Sequence, residues 1–217
     1  MTMSWLSRFF PRTVASFQSP FNRDIKIIEK NTRTSLVVNG VEQSGEYVDT
    51  LFRRAFTRLS AGHPGSVNRI AVIGIGGGIA IRKLRDLYPK AHITGVDIDP
   101  VVVDAAKKYF HLGSVSNCSL LIWDAEKYVR KPVTSSSRFD LVIVDIYIGN
   151  DVPGFVTQKP FLSGIKKHMR PGGFLIINYF SFYQQPEKTK IFFHTLSGIF
   201  DSVKSENILR NKIYYCS

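Results

Sequence analysis

Four points in the chain carry residue types that do chemistry together. A glycine-rich turn, Gly74-Ile75-Gly76-Gly77-Gly78, is followed by Asp97, Asp124 and Asp145, each closing an apolar run. Glycines in such a turn let the backbone approach a ligand, because a Cβ there would collide with it. A carboxylate about 20 residues beyond the turn is placed to accept both hydroxyls of a ribose. The set points to a nucleoside-containing small molecule. One glycine turn is a weak signal, and one aspartate is often no more than a helix cap. Gly-x-Gly-x-Gly, Asp, Asp and Asp at four strand ends in order are harder to reach by chance.

The elements that must position these groups can be read from periodicity. Ile70 to Ile73 is a short apolar run, Ile79 to Leu87 is amphipathic, and a second apolar run ends in Asp97, which predicts strand, turn, helix, strand. Asp99-Pro100 reads as a cap and first-turn proline opening a helix through Phe110. Ser119 to Trp123 is a third strand ending at Asp124, and Phe139 to Val144 a fourth ending at Asp145. Lys159 to Met169 follows as helix, with Thr157 its candidate cap. Pro171-Gly172-Gly173 then turns the chain into a fifth strand, Phe174 to Asn178. A helix over Ile191 to Ile199 and strands over Val203 to Ile208 and Lys212 to Cys216 complete the pattern. This alternation predicts an α/β fold: a Rossmann-like, seven-stranded, mostly parallel sheet with helices on both faces. Its ligand belongs beyond the carboxyl ends of the strands.

Ahead of this lies a different pattern. Ile25, Ile27-Ile28, Leu36-Val37-Val38 and Val41 read as short strands, with Asn39-Gly40 a hairpin signal, so a small antiparallel sheet is expected. Glu46 to Ser60 reads as one amphipathic helix and Ala61 to Gly65 as a linker. The expected division is residues 1–60 as an N-terminal segment and 61–217 as the nucleoside-binding domain.

Composition narrows the class. The chain has 217 residues and a formal net charge of +12, but Lys and Arg are scattered without a run of five, which reads as solvated helix faces. Nucleic acid is therefore not the favoured partner. Cys118 and Cys216 lie far apart with no CxxC or Cys/His spacing, so neither a disulfide framework nor a metal site is expected, and a cytoplasmic setting fits. The first 18 residues hold Trp5, Leu6, Phe9 and Phe10 beside Arg8 and Arg12. No apolar stretch there suits a signal or transmembrane segment, and these groups are expected to pack on the domain or on a second subunit.

The turn is G-x-G-x-G rather than the G-x-G-x-x-G of nicotinamide dehydrogenases, which is similar to the S-adenosylmethionine-dependent transferases. Within that superfamily the chain resembles the spermidine synthase (polyamine aminopropyltransferase) family. The resemblance runs through Ser19-Pro20-Phe21, Val37 to Glu46, Val72 to Gly78, Val96 to Pro100, Phe139 to Asp145 and Arg170 to Gly173, and the tract from Asp145 to Phe161 looks closest to a divergent "spermidine synthase-like" bacterial branch.

The resemblance implies roles for particular residues. Gln43 would reach the sulfonium end of S-adenosylmethionine or its decarboxylated form. Gly74, Gly76 and Gly78 would pass its tail, Asp97 with Ile98 would hold the ribose, and Asp124 with Ala125 would meet the adenine edge. Asp145 matches the catalytic aspartate, which accepts a proton from an attacking amine or orients it. The acceptor is expected to be a small molecule or amine, and the assembly a homodimer. Three departures stand against polyamine synthesis. Gly77 replaces an aspartate of the glycine turn, Ile148 replaces a second aspartate, and Phe52-Arg53 replaces a tyrosine-histidine pair. The expectation is a retained nucleoside site with methyl transfer slightly ahead of aminopropyl transfer. A non-catalytic nucleoside-binding protein is the other class.

Overall fold

The computed structural model describes residues 10–62, 67–180 and 186–217. Trp5, Leu6 and Phe9 and most of the expected linker fall outside them. Among the described residues no helix is long and apolar enough to cross a membrane.

The chain opens with a four-stranded antiparallel sheet, β1 (Arg12–Phe17), β2 (Ile25–Lys30), β3 (Arg33–Val38) and β4 (Val41–Ser44), in that order. The expected sheet lacked its first strand. Arg12–Phe17 has a weak apolar pattern and acquires its strand by pairing with β2, with a register shift between Thr13 and Ala15. Both hairpin turns use two left-handed residues: Asn31 and Thr32 at φ 49° and 65°, and Asn39 and Gly40 at 49° and 81°. Such primed turns match the right-handed twist of the strands they join. One sheet face buries Ile25, Ile27, Leu36 and Val38 against Val102 and Ala105 of α4 (Pro100–Tyr109) and against Phe110, which caps it.

The expected single helix over Glu46 to Ser60 is two, α1 (Glu46–Ala55) and α2 (Thr57–Gly62). The Thr57 hydroxyl donates to the Arg54 carbonyl at 2.6 Å, a back-bond that competes with the helix ladder at the break. Beyond it come β5 (Arg69–Ile73), α3 (Ile79–Leu87), β6 (His92–Asp97), α4, β7 (Cys118–Ile122), α5 (Ala125–Tyr128), β8 (Phe139–Val144), α6 (Lys159–His168), β9 (Met169–Phe180), α7 (Pro186–Ser197), β10 (Val203–Ile208) and β11 (Asn211–Cys216). The seven strands lie in the order β10-β11-β9-β8-β5-β6-β7, and β11 alone runs against the rest.

Two element boundaries differ from expectation for local reasons. β9 begins at Met169, and Pro171-Gly172-Gly173 is a bulge inside it: pairing jumps from Phe139↔Met169 to Leu141↔Phe174, with Gly172 at φ +71°. Thr157 does not cap α6. Its hydroxyl donates back to Gly154 O at 3.0 Å, and Gln158 holds the cap position without a side-chain bond.

Two cores flank the large sheet. Ile70, Val72, Ile93, Leu141, Ile143 and Ile176 point to the α1/α3 side; Ala71, Ile73, Val142, Val144, Leu175 and Ile177 point to the α6/α7 side. This period-two division of parallel strands buried on both faces fixes register, since a one-residue slip would exchange the two sides.

Candidate active site

Register brings the chemistry together. Gly74 N donates to Val96 O at 2.8 Å, Asp145 N to Ile73 O at 2.8 Å, and Trp123 N to Asp97 O at 2.8 Å. The ends of β5, β6, β7 and β8 therefore step off the sheet at one level, and a cavity forms above them. Gln43, Gly74, Gly76, Asp97, Ile98, Asp124, Ala125 and Asp145 all line it.

Gly78 does not. It caps α3 in the left-handed region at φ +76°, where a Cβ would lie 2.8 Å from the Leu112 side chain. Its glycine answers to packing. Gly74 is different, because at φ +93° a Cβ there would lie 2.0 Å from the Asp145 backbone oxygen. The two strand ends that frame the cavity meet at this point.

Asp97 braces the turn that precedes it. One carboxylate oxygen accepts from Ile75 N at 2.8 Å and the other from Asp99 N at 3.0 Å. Burial pushes its pKa up from 3.8, while backbone donation from Asp99, Ile75 and Gly76 pulls it down. With these three donors the carboxylate keeps a lone pair for an incoming hydroxyl. Asp124 likewise combines two roles, capping α5 through Lys127 N at 3.0 Å while lining the cavity.

Asp99, expected as a cap, also joins the two sheets. Its Oδ1 accepts from Val101 N at 2.9 Å, and its Oδ2 accepts from Ser19 Oγ at 2.5 Å and Asn22 Nδ2 at 2.7 Å. The loop after β1 is thereby pinned, with Phe21 and Asn22 on the cavity wall. Ile98 and Trp123, 39% and 38% exposed, offer apolar surface on the β6/β7 side.

Asp145 sits between two chambers. It borders the large cavity and a smaller one lined by Glu42, Gln43, Tyr47, Tyr147, Asn178 and Asn211 among others. Burial raises its pKa to about 6; the Asn178 amide, donating at 2.8 Å, lowers it and the charge of Asp97 raises it. An aspartate with that pKa is ionised at neutral pH yet basic enough to take a proton. Gln43 lines both chambers, and its amide donates to Gly149 O at 3.0 Å, tying β4 to the loop after β8. Tyr47, Tyr147 and Asn211 are not among the residues that the sequence marks for the site, and neither is Asn178, which it places at the end of the fifth strand. Nothing in their spacing marks them.

The three departures fall in different places. Ile148 lies on the cavity rim, 65% exposed. Arg53 lies on the exposed face of α1 and lines neither chamber, and its neighbour Phe52 is buried in the core. At Gly77 a Cβ would fall 2.4 Å from Ser44 Oγ and 2.5 Å from Ser44 Cβ. The Ser44 hydroxyl is buried and has no hydrogen-bond partner among the described residues. A carboxylate-bearing side chain at position 77 therefore has no room while Ser44 stands where it does.

Residues 50–209 match the family profile described as the spermine/spermidine synthase domain. A polyamine aminopropyltransferase of Vibrio vulnificus is 28% identical over 145 residues, 67% of this chain and 48% of that protein. An eEF1A lysine and N-terminal methyltransferase homolog of Drosophila melanogaster is 28% identical over 157 residues, 68% of this chain and 23% of that protein. The chain thus spans about half the length of the first relative (48%) and about a quarter of the second (23%). Among solved structures, spermidine synthase from Thermotoga maritima superposes with a TM-score of 0.79 at 18% identity, over 95% of this chain and 72% of that one.

Proposed function

Because this chain belongs to the spermine/spermidine synthase family, we propose that it is a transferase that binds a sulfonium nucleoside and passes an alkyl group to a nucleophile beside Asp145. The observation that carries this reading is the convergence of the glycine turn, Asp97, Asp124 and Asp145 on one cavity. The lining fits such a nucleoside. Ile98, Trp123 and Ala125 provide apolar surface for a purine, Asp97 provides acceptors for ribose hydroxyls, and Gly74 and Gly76 leave a passage that side chains would close. When bound, the sulfonium supplies an electrophilic carbon. The protein's part is to hold that carbon at Asp145 and to take the proton that a protonated nucleophile must lose.

Asp97→Asn tests the nucleoside site. The variant puts an amide N–H against one of the two backbone donors that the carboxylate now satisfies. Nucleoside affinity by isothermal titration is expected to fall at least about tenfold, or roughly 1.4 kcal/mol. Unchanged affinity would mean that Asp97 serves the turn alone.

Within this reading S-adenosylmethionine is the favoured co-substrate and methyl transfer slightly ahead. Support comes from position 77: the aspartate that the resemblance places there, which would pair with a bare aminoalkyl tail, is absent, and a Cβ at this position would meet Ser44. Titration with S-adenosylmethionine and its decarboxylated form is expected to give comparable affinities or a preference for the former. A preference of about tenfold or more for the decarboxylated form would overturn methyl transfer. Aminopropyl transfer is the second reading, favoured by the name of the Vibrio relative. Mass-spectrometric detection of a polyamine product from putrescine and decarboxylated S-adenosylmethionine would establish it. Nucleoside binding without turnover on any acceptor would instead favour a non-catalytic binding protein.

A further inference from the structure

We infer that Tyr47, Asn211 and Asn178 form a hydrogen-bond chain directed at Asp145, and that Tyr47 and Asn211 are positioning residues for its carboxylate. The inference rests on Asp145 being the acceptor-side base proposed above.

The links run through the wall of the smaller chamber. Asn178 Nδ2 donates to Asp145 Oδ1 at 2.8 Å, and Asn211 Nδ2 donates to Asn178 Oδ1 at 2.7 Å. The Tyr47 hydroxyl donates to Asn211 Oδ1 in a short contact. Both asparagines are 4% exposed, so these bonds are largely shielded from bulk water.

The direction of the chain follows from groups that cannot reverse. An ionised carboxylate only accepts, so Asn178 must present its NH2 to Asp145 and its oxygen to Asn211. Asn211 must then turn its NH2 inward and its oxygen toward Tyr47. Two backbone groups enforce the same choice. Arg210 N–H donates to the Tyr47 oxygen at 3.1 Å, and the Tyr147 hydroxyl spends its proton on Asn178 O at 3.0 Å. The Tyr147 oxygen is thereby left to accept, and Asn211 Nδ2 approaches it at 3.3 Å. Reversal would set the Tyr147 oxygen against the Asn211 oxygen and return the Tyr47 proton toward a backbone N–H. The ionised form of Asp145 is therefore the one that this wall fits.

Charge explains why a relay of neutral groups suits the site. Among the described residues no Lys, Arg or His lines this chamber. A cation in contact would hold the carboxylate well below the range in which it can take a proton. Oriented amides fix its position and favour ionisation without cancelling its charge. The other ionisable groups facing the two chambers are Asp97, Asp99 and Asp124 on one side and Glu42, Tyr47 and Tyr147 on the other. Among them Asp97 opposes ionisation of Asp145.

Carboxyl-carbon NMR on aspartate-labelled protein tests the chain without knowledge of the acceptor. The Asp145 resonance is assigned by its loss in Asp145→Asn, and its titration is followed in Tyr47→Phe, Asn211→Ala and Asn178→Ala. Tyr47→Phe and Asn211→Ala are each expected to raise the midpoint by about half a pH unit, and Asn178→Ala by about one or more. A lost cap on packing alone would lower the unfolding temperature and leave the midpoint in place, so thermal unfolding is measured beside it. Tyr47→Phe removes one hydroxyl and keeps the answer available where Asn211→Ala does not fold. An unmoved midpoint in Tyr47→Phe would overturn the chain, as would a shift confined to Asn178→Ala. Loss of the transferase reading is seen separately, as absent nucleoside binding with this titration series intact.

Discussion

Asp145→Asn is expected to lower turnover at least about 100-fold, on whichever acceptor the wild type uses, and to make the folded protein more stable at neutral pH. The two effects share one cause. Burial raises the folded-state pKa of Asp145 from the ordinary 3.8 to about 6. The folded protein thus holds this proton more tightly than the unfolded chain. Stability from this group is complete below 3.8, falls as pH rises toward about 6, and stays low above it. That interval corresponds to roughly 3 kcal/mol. A neutral amide at position 145 keeps the acceptor for Asn178 and removes the burial of charge. Denaturant unfolding should show the variant more stable at neutral pH by about 2 kcal/mol, with a flatter dependence between about pH 4 and 6. Wild-type turnover should rise with pH through about 6, because a base acts only when ionised. Turnover within about threefold of wild type would remove Asp145 from the chemistry. A variant no more stable at neutral pH would mean that the carboxylate is not strained by its burial.

Gly74→Ala carries the second large effect. The new methyl would lie 2.0 Å from the Asp145 backbone oxygen, and neither strand end is free to retreat, since Gly74 N and Asp145 N are both held in 2.8 Å bonds to neighbouring strands. The φ of +93° adds backbone strain of its own. Together these are expected to destabilise the fold by roughly 3 kcal/mol and to weaken nucleoside binding at least tenfold in whatever folds. Gly172→Ala is the control. It has φ +71° but nothing within 4 Å of its added Cβ, so about 1 kcal/mol of strain is expected and no change in binding. Equal losses at the two positions would show that left-handed backbone, rather than the contact at Asp145, sets the effect.

The Gly77 position shows how structure altered a reading that sequence had made. In the sequence, Gly77 is an absent carboxylate. In the fold it is a glycine pressed against Ser44, with Phe110 3.3 Å from where a Cβ would stand. A reversal to aspartate at 77 alone would meet a filled space. The missing group is thus a feature of two residues, one at the end of β4 and one in the turn between β5 and α3.

What the sequence by itself determined is the large sheet and the residues at its carboxyl ends that line the cavity. Strands buried on both faces are written as apolar runs, and their carboxyl ends are marked by a glycine turn and by aspartates that face no core. Those signals are local, so Gly74, Gly76, Asp97, Asp124 and Asp145 could be named from spacing. The tertiary structure decided the rest of Asp145's surroundings. Tyr47 lies 164 positions from Asn211, on a helix ahead of the large sheet, and Asn211 stands at the start of the one antiparallel strand. That reversal of direction brings the first residue of β11 to the same end of the sheet as the last residues of its neighbours. No periodicity records a contact between an amide and a phenol so far apart in the chain. Strand order and direction create it, and with it the polar wall that holds the carboxylate.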